Sequence, residues 1–372
     1  MRSTLTALLA AAGVLVCVAR TSRSATPPTT APSANQISGP YVSDNLAVYL
    51  IHGPDAPGAR NYLTLQEALD QKKVIVREKQ QVNTLTIENV SDQDVFVQAG
   101  EIVKGGQQDR TLGGDLIVSA HSGEIPILVH CVEHGRWTMR GSEDAHQFGT
   151  SANAIASKDM KMANYENNQV EVWRSVDAAQ AKLAANVSGF SGKPTTSPTS
   201  FELTIEAPQV QQAADAYVKQ LSGVADGQGD VIGYVFAING KLNSGDIYAS
   251  HALFGKLWPK LLMAAAVEAT GDRNGQKLAP PTPQAVAAAL AASESATASD
   301  VATATENFEQ ANANANEMAQ NLAASHSASA PPTTAPAARA VVQKRESDRG
   351  VLYETRDGDT AAPYLHRAFL SK

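Results

Sequence analysis

Residues 45–138 consist of short apolar segments separated by clusters of Gly, Asp, Asn and Ser. In the first segment Leu46, Val48 and Leu50 recur at every second position, the period of a β-strand. Further segments lie at 74–76, 82–89, 95–97, 116–118 and 125–129. Many short strands with turn residues between them predict an antiparallel β-sandwich or a barrel-like unit. One short helix is predicted at 63–72, where Thr64 and Glu67 have the spacing of a capping box.

The second half of the chain has a different periodicity. Apolar residues three and four positions apart predict helices at 167–183, 208–221 and 251–270. Strands are predicted at 231–238 and 242–248, because Asn239-Gly240 between them favours a two-residue hairpin turn. A second hairpin is predicted at 350–370. The predicted fold class is therefore α+β, with an N-terminal antiparallel β-sandwich or barrel-like half followed by an α+β half.

An alanine-rich stretch at 276–344 separates the long helix from the final hairpin. Thr282 and Pro283 suit the N-cap and first position of a helix that ends near Ser293. Beyond it, heptad spacing of apolar residues indicates a helical hairpin or coiled coil and predicts a self-association surface. The large residues of this surface are Val301, Phe308, Met318 and Leu322. A partly disordered insertion is the alternative.

The chain starts with the pattern of an export signal. A basic start, an apolar stretch and small residues at Ser24-Ala25 predict a secretory signal peptide over 1–25 and a secreted or periplasmic protein. A retained membrane anchor is the alternative. The remaining predicted divisions are a Pro/Thr linker at 26–40, a β-rich half at 41–150, an α+β half at 151–275, the alanine-rich insertion at 276–344 and a C-terminal β-hairpin at 345–372 that completes the α+β half.

Composition limits the classes of partner. A formal net charge of −7 argues against a nucleic-acid partner, which requires a basic face. No apolar run of about 20 residues follows the N-terminal segment, so no membrane span is expected in the mature chain. The two cysteines, Cys17 and Cys131, cannot form a disulfide framework if the first is removed with the signal.

The densest group of polar residues lies between Gly100 and Arg140. Its members could bind a small anionic or hydroxylated ligand, because arginine makes bidentate contacts with anions and tryptophan offers a stacking face. The candidates are Glu101, Gln108, Arg110, Glu133, Arg136 and Trp137. The alternative is internal Glu–Arg pairing that joins two strands. If 130–137 is a strand, Cys131, Glu133 and Gly135 share one face, and His130, Val132 and His134 share the other.

Other chemistry in this stretch has less support. His130 and His134, with His121, could ligate a metal, but no HExxH or CxxC spacing accompanies them, so hydrogen-bonded or exposed histidines are expected and no metal or cofactor is predicted. Cys131 could act as a nucleophile only beside a base, and strand neighbours point to opposite faces. A small core residue is the expected role of Cys131.

Several strings resemble a known bacterial family. AGEIVKGGQQDRTL, CVEHGRW, the helix start at 169–173 and FAINGKL followed by ALFGKLWPKLL are similar to the ARG and rhodanese-phosphatase-superfamily-associated protein domain. The resemblance runs from about 41 to 275 and resumes near 349–369. It implies no established activity, only an association with ADP-ribose and NAD-related metabolism. Carried over by position, it emphasises Glu101, Gln108, Arg110, Cys131, Glu133, Arg136 and Trp137.

Two functions are consistent with these patterns. The first is an exported binding or structural module, because no complete catalytic signature is present. The second is an enzyme or binder for ADP-ribose or a nucleotide-like ligand, in which Glu133 or Glu101 would be the general base and arginines would hold the anion. An open cleft containing these residues would favour the enzyme, and closed buried ion pairs would favour the module.

Overall fold

A computed structural model describes residues 35–276, 278–300 and 340–372. Within these ranges the strands are β1 (Gln36–Ser43), β2 (Leu46–His52), β3 (Leu63–Thr64), β4 (Val74–Gln81), β5 (Thr84–Asn89), β6 (Val95–Val97), β7 (Glu101–Gly105), β8 (Arg110–Leu112), β9 (Leu116–Val118), β10 (Gly123–Cys131), β11 (Gln147–Ile155), β12 (Val231–Ile238), β13 (Lys241–Tyr248), β14 (Ala298–Asp300), β15 (Ala340–Glu346), β16 (Gly350–Asp357) and β17 (His366–Ser371). The helices are α1 (Leu65–Asp70), α2 (Lys158–Tyr165), α3 (Gln169–Asn186), α4 (Phe201–Ile205), α5 (Pro208–Leu221), α6 (His251–Gly271) and α7 (Pro283–Glu294), with a 3-10 turn at Ser222–Ala225.

Local sequence signals explain where several elements begin. Thr64 and Glu67 form both hydrogen bonds of the predicted capping box at the start of α1. The Thr282 hydroxyl accepts from the main chain of Ala285, and Pro283 is the first residue of α7. Asn239 and Gly240 both have positive φ, as the predicted hairpin turn between β12 and β13 requires.

The largest sheet has eight strands in the order β1-β2-β12-β13-β17-β16-β15-β14. Each neighbouring pair is antiparallel, so the sheet joins strands from both ends of the described chain. The predicted C-terminal hairpin is present as β16 and β17, and β15 adds a third strand to it.

Helices cover both faces of this sheet. Leu46, Val48 and Leu50 belong to an apolar cluster with α5 and α6. The intervening residues Tyr49 and Ile51 belong to a second cluster, to which α7 contributes Val286 and Leu290. The whole of β2 apart from His52 is therefore buried. The burial of both faces of β2 results from the second helix layer.

The second strand system is a closed barrel with the strand order β10-β5-β4-β11-β7-β8. Each strand contributes at least one side chain to its apolar interior, namely Val76, Ile87, Val103, Leu112, Val129 and Phe148. A small sheet of β3, β6 and β9 accompanies it. The predicted α+β class, with a strand-rich N-terminal half that includes a barrel, is confirmed.

The elements divide differently from the predicted segments. Strand β1 begins at Gln36, within the predicted linker 26–40, and β1 and β2 pair with the large sheet instead of the barrel. Strand β11 of the barrel extends to Ile155, beyond the predicted boundary at 150. The described residues form one compact unit. Long-range strand pairing set these limits, and composition along the chain does not report it.

Part of the alanine-rich stretch is ordered core. Helix α7 lies where Thr282 and Pro283 predict it, and Val286, Ala289 and Leu290 are buried. Val301, Phe308, Met318 and Leu322, the predicted self-association surface, lie outside the described residues, as does the predicted signal peptide 1–25. Among the helices that are described, none is both long and apolar enough to cross a membrane.

Candidate functional site

One end of the barrel brings together the sequence-predicted residues of strands β8 and β10. Arg110 and Cys131 are register partners where these strands pair. Each lies two positions from an inward-facing residue, Leu112 and Val129 respectively, so each is on the inner face of the barrel. Glu78 has the same relation to the inward-facing Val76 on β4. The apolar barrel interior therefore ends in a polar layer.

Arg110 is the centre of this layer and is fully buried. Its Nη1 donates to the main-chain oxygen of Gln108 at 2.7 Å. Its Nη2 lies 3.6 Å from Oε2 of Glu78, an ion pair longer than a hydrogen bond. The ring of Trp137 lies over the guanidinium, with its centroid 5.8 Å from Cζ. Neither Nε nor Nη2 has a hydrogen-bond acceptor among the described residues.

Gln108 has the least satisfied side chain at this end of the barrel. It is 1 % exposed, and neither its amide oxygen nor its amide nitrogen has a hydrogen-bond partner in the part of the chain that the structure describes. A buried polar group without a partner costs about 1–3 kcal/mol. The Gln108 amide and the free nitrogens of Arg110 therefore offer both donors and an acceptor to a ligand.

A group of ion pairs lies next to this layer in the chain, among Asp109, Glu133, Arg136 and Arg140. Arg136 Nη2 lies 2.7 Å from Glu133, and Arg140 lies 2.8 Å from Asp109 and 3.7 Å from Glu133. Ser197 also donates to Glu133. Burial raises the pKa of Glu133, but the hydrogen bonds from Arg136 and Ser197 and the charges of both arginines outweigh it and hold that pKa below its usual value. Glu133 is thus a paired carboxylate, but its pair with Arg136 lies within one loop, whereas the alternative of internal Glu–Arg pairing predicts a pair that joins two strands.

The predicted strand at 130–137 ends early. Strand β10 stops at Cys131, and residues 132–135 form bends. The main-chain N–H of Val132 donates to Asp109, and the carbonyl of Val132 accepts from Phe201 at the start of α4. Gly135 then has a φ of +88°, outside any strand. The condition for the predicted faces, a strand through residues 132–137, is therefore not met, and the alternation of Cys131, Glu133 and Gly135 with His130, Val132 and His134 does not hold beyond Cys131.

Cys131 is a packed core residue. Its side chain is buried, and burial raises the pKa of its thiol to about 11. The main chain of Cys131 exchanges two hydrogen bonds with the side chain of Gln169, of 2.8 and 2.9 Å, which ties the barrel end to α3. A thiol that is protonated at neutral pH and shielded from solvent is a poor nucleophile.

Gly106 fits closely against the barrel end. It has a φ of +55°, and a Cβ atom at this position would lie 2.3 Å from Cζ of Phe148. The residue preceding the polar loop 107–109 is therefore restricted to glycine by both backbone and packing.

Glu101 is not part of this site. It is buried and pairs with Lys260 of α6 at 3.0 Å, and it accepts from the main chain of Gln98. The barrel end therefore contains the predicted residues Gln108, Arg110, Cys131, Glu133, Arg136 and Trp137 without Glu101.

A second buried charge cluster lies beside Glu101, and the sequence reasoning missed it. His366 is held between Asp115 at 2.6 Å and Asp246 at 3.1 Å, and Lys161 lies 3.1 Å from Asp246. Burial lowers the pKa of His366, but the two carboxylates outweigh it and raise that pKa to about 9. The two cations and the two carboxylates of this cluster balance one another. Because the four side chains come from separate parts of the fold, their ion pairs hold those parts together. The only local signal was a charged residue within an apolar segment, such as Asp246 in β13.

The three histidines considered as metal ligands lie apart. His130 Nε2 shares a hydrogen bond with Asn167 at 3.0 Å, the His134 ring packs edge-on to Trp173, and His121 Nε2 lies 2.6 Å from Asp92. No group of three or more His, Cys, Asp or Glu that could hold a metal occurs among the described residues. These side chains therefore do not form one ligand set.

Comparison with known proteins gives one match. The model of the family described as ARG and Rhodanese-Phosphatase-superfamily-associated Protein domain matches residues 35–330. No curated protein and no solved structure matches the chain.

Proposed function

The chain belongs to the ARG and Rhodanese-Phosphatase-superfamily-associated Protein domain family, and we propose that it is a binding module whose barrel end takes a small anionic or hydroxylated ligand. The observation that carries this proposal is the pair of buried, incompletely bonded side chains of Gln108 and Arg110. They are adjacent through the 2.7 Å bond from Arg110 to the Gln108 carbonyl. A ligand with acceptor oxygens and hydroxyl groups would satisfy both.

The charges at this end support a ligand of modest charge. Glu78 balances the charge of Arg110, but at 3.6 Å it accepts no hydrogen bond from Nη2. Nε and Nη2 of Arg110 are free to donate to a phosphate or carboxylate oxygen. The Gln108 amide suits a hydroxyl group, which both donates and accepts.

Trp137 lies on the solvent-facing side of the proposed site, where a ligand would enter. It is 46 % exposed, and it lies over the buried guanidinium of Arg110. A ligand that reaches Arg110 displaces the Trp137 ring or stacks on it. ADP-ribose carries phosphates, hydroxyls and a flat ring, so it is the first probe for the nucleotide-like ligand class.

Catalysis by a glutamate base is not part of this proposal. Glu133 and Glu101 are each buried and paired with a cation, Arg136 and Lys260 respectively. A base must be free to reach the proton that it removes. The closed pairs favour a binding role over the enzyme that the sequence also allowed. Export, proposed from the pattern of residues 1–25, would place this module outside the cytoplasm.

The proposal is tested by ligand binding to the full chain and to Trp137→Ala. We expect ADP-ribose or ribose 5-phosphate at millimolar concentration to raise the melting temperature, because a ligand at about 100 times its Kd adds about 2.7 kcal/mol of stability. Loss of base stacking costs about 1–3 kcal/mol, so calorimetry should show binding to Trp137→Ala weakened by about 5-fold or more.

Met139→Ala is the matched control, because Met139 is exposed on the same loop and makes no contact with Arg110 among those recorded for the described residues. Inorganic phosphate and ribose separate the anionic from the hydroxyl contribution. Absence of any shift with all four probes, or equal weakening by Trp137→Ala and Met139→Ala, would contradict the proposal.

A further inference from the structure

A cavity lies beside the hairpin turn that joins β12 to β13. It is lined by Asn239 of the turn, Asn243 of β13, Lys158 at the start of α2 and Asp272 at the end of α6. Its volume is about 310 Å³, within the range of small-molecule sites. It shares no lining residue with the barrel end. We call this space the hairpin cavity.

Two side-chain amides of the hairpin cavity have acceptor oxygens without a donor. Asn243 is 8 % exposed, and its Nδ2 donates to Glu268 at 2.6 Å. The Nδ2 of Asn239 donates to the main-chain oxygen of Asp272, also at 2.6 Å. These two bonds fix how each amide is turned, and neither Oδ1 atom has a partner among the described residues. A ligand that donates a hydrogen bond would satisfy them.

The lining of the hairpin cavity carries an excess of positive charge. The ammonium groups of Lys158 and Lys241 make no ion pair within the described part of the chain. Lys372 is a third lysine of the lining and is held by an exposed ion pair. Among the described residues that line the cavity, Asp272 is the single acid, and Lys182 already neutralises it at 2.8 Å. The free charges of the lining are therefore cationic.

The nearest buried acid, Glu268, does not reverse this balance. Its Oε1 accepts from Asn243 and its Oε2 accepts from the main chain of Lys158. Burial is the main cause that raises the pKa of Glu268 above its usual value, which favours the neutral form of this carboxyl group. Glu268 is thus engaged by neutral donors and repels an anion in the cavity less than a free carboxylate would.

We propose that the hairpin cavity binds a small hydroxylated anion, the class to which sugar acids belong. Its anionic group would lie beside Lys158 and Lys241, and its hydroxyl groups would donate to Asn239 and Asn243. A cation fits less well, because Asp272 is already paired. An apolar ligand would leave both amide oxygens without a donor. The lysine of the turn, Lys241, is exposed, and exposed side chains change rotamer readily, which allows a ligand to enter.

The test compares three six-carbon probes on the full chain: gluconate, hexanoate and sorbitol. Hexanoate has the negative charge without the hydroxyl groups, and sorbitol has the hydroxyl groups without the charge. Titration calorimetry should give a Kd for gluconate about tenfold or more below that of either other probe, because gluconate alone makes both kinds of contact. Sorbitol or hexanoate binding as tightly as gluconate would overturn the proposal, and so would the absence of gluconate binding at millimolar concentration.

Lysine variants locate the anionic group. The double variant Lys158→Gln, Lys241→Gln should weaken gluconate about fivefold or more, since each partly exposed charge contact contributes a few-fold in affinity. Its affinity for uncharged sorbitol should stay within about twofold. Lys219→Gln, which removes an exposed lysine of α5 outside the cavity, is the matched control and should leave gluconate unchanged. Equal weakening by the double variant and by Lys219→Gln would contradict the assigned anion position.

An asparagine variant locates the hydroxyl groups. Asn239→Gly removes one acceptor oxygen and keeps the positive φ of the turn at that position. It should weaken gluconate and sorbitol alike, by about threefold or more, and leave hexanoate within about twofold. Equal weakening of all three probes would show a general loss of the cavity and would contradict this contact. If Asn239→Gly does not fold, the lysine variants decide the proposal.

A further comparison separates the hairpin cavity from the barrel end. Trp137→Ala should leave gluconate affinity unchanged, because Trp137 does not line the hairpin cavity. If Trp137→Ala weakens gluconate and the double lysine variant does not, gluconate binds at the barrel end and the inference about the hairpin cavity fails. If ADP-ribose does not bind while gluconate depends on the two lysines, the barrel-end proposal fails and this one stands.

Discussion

At the scale of single residues, this protein is distinguished by charges that are buried in balanced groups. His366 touches both Asp115 and Asp246, and Lys161 lies on the other side of Asp246. Asp246 also accepts from the amide of Gln98 at 3.2 Å. Burying any of these charges alone would cost several kcal/mol, so each depends on its neighbours.

We predict a stability change with pH that depends on His366. Its pKa rises from 6.5 to about 9 on folding, so its contribution is complete below about pH 6.5 and is lost as the pH rises through about 9. The span corresponds to at most about 3 kcal/mol. Urea unfolding of His366→Gln between pH 6 and 9.5 should show lower stability and a flatter profile than the unaltered chain.

The exposed His121 provides the control for this measurement. His121→Gln should keep the original slope of stability against pH, because that side chain is 64 % exposed beside Asp92.

On the acid side, Asp246 has a pKa lowered to about 2, so its contribution to stability is present above about pH 4 and is lost as the pH falls through about 2. For His366, an unchanged slope of stability against pH in His366→Gln would contradict the predicted contribution of this histidine.

The residue patterns located the barrel-end site only in part. Arg110 and Cys131 come together because β8 and β10 pair in register, and both belong to the stretch that the sequence singled out. Glu101 is in the same stretch but faces Lys260, about 160 positions along the chain. Sequence proximity groups candidate residues, but it does not say which long-range partner each one meets.

At the scale of elements, the sequence predicted structure best where the backbone conformation requires a particular residue type. The capping box of α1 and the positive φ values of Asn239 and Gly240 follow from chemistry within four residues. The burial of β2 on both faces did not follow, because α7 covers the second face from about 240 positions away. An alanine-rich segment gives little indication of such packing.

We predict that α7 is part of the structural core. Leu290→Ala should lower the free energy of unfolding by about 2–4 kcal/mol, as expected when a buried leucine is truncated and leaves a cavity. Leu290 packs in the cluster that contains Tyr49 and Phe369. Urea unfolding monitored by circular dichroism measures the loss. Ala288→Gln, on the exposed side of α7, should change stability by less than about 0.5 kcal/mol. Equal effects of the two substitutions would contradict a core position for Leu290.

At the scale of the whole molecule, the large sheet is completed by strands from both ends of the described chain. Strand β17 lies between β13 and β16 in the middle of the sheet. The barrel is inserted between β2 and β12 in the chain, and its Ile102 packs in the same apolar cluster as Leu46 and Leu257. The outer side of the barrel therefore packs against the core of the sheet, while the barrel interior forms an apolar cluster of its own.

We predict that removal of the C-terminal strands abolishes folding. A chain ending at residue 339 loses β15–β17, which leaves β13 paired with β12 alone and Asp115 and Asp246 without His366. Scanning calorimetry should show no cooperative transition, although the family match ends at residue 330. A chain lacking only Lys372, whose ion pair with Glu346 is exposed, should melt like the full chain. A cooperative melt of the shorter chain would show that the sheet does not need these strands.

The sequence by itself determined the α+β class, most element positions and the stretch that contains the barrel-end residues. These features depend on backbone propensities, turn chemistry and apolar periodicity over a few residues. Only the tertiary structure decided that β1 and β2 join the C-terminal strands and that His366 lies between Asp115 and Asp246. Strand pairing and charge burial arise from contacts between distant segments, and a linear sequence does not specify which segments meet.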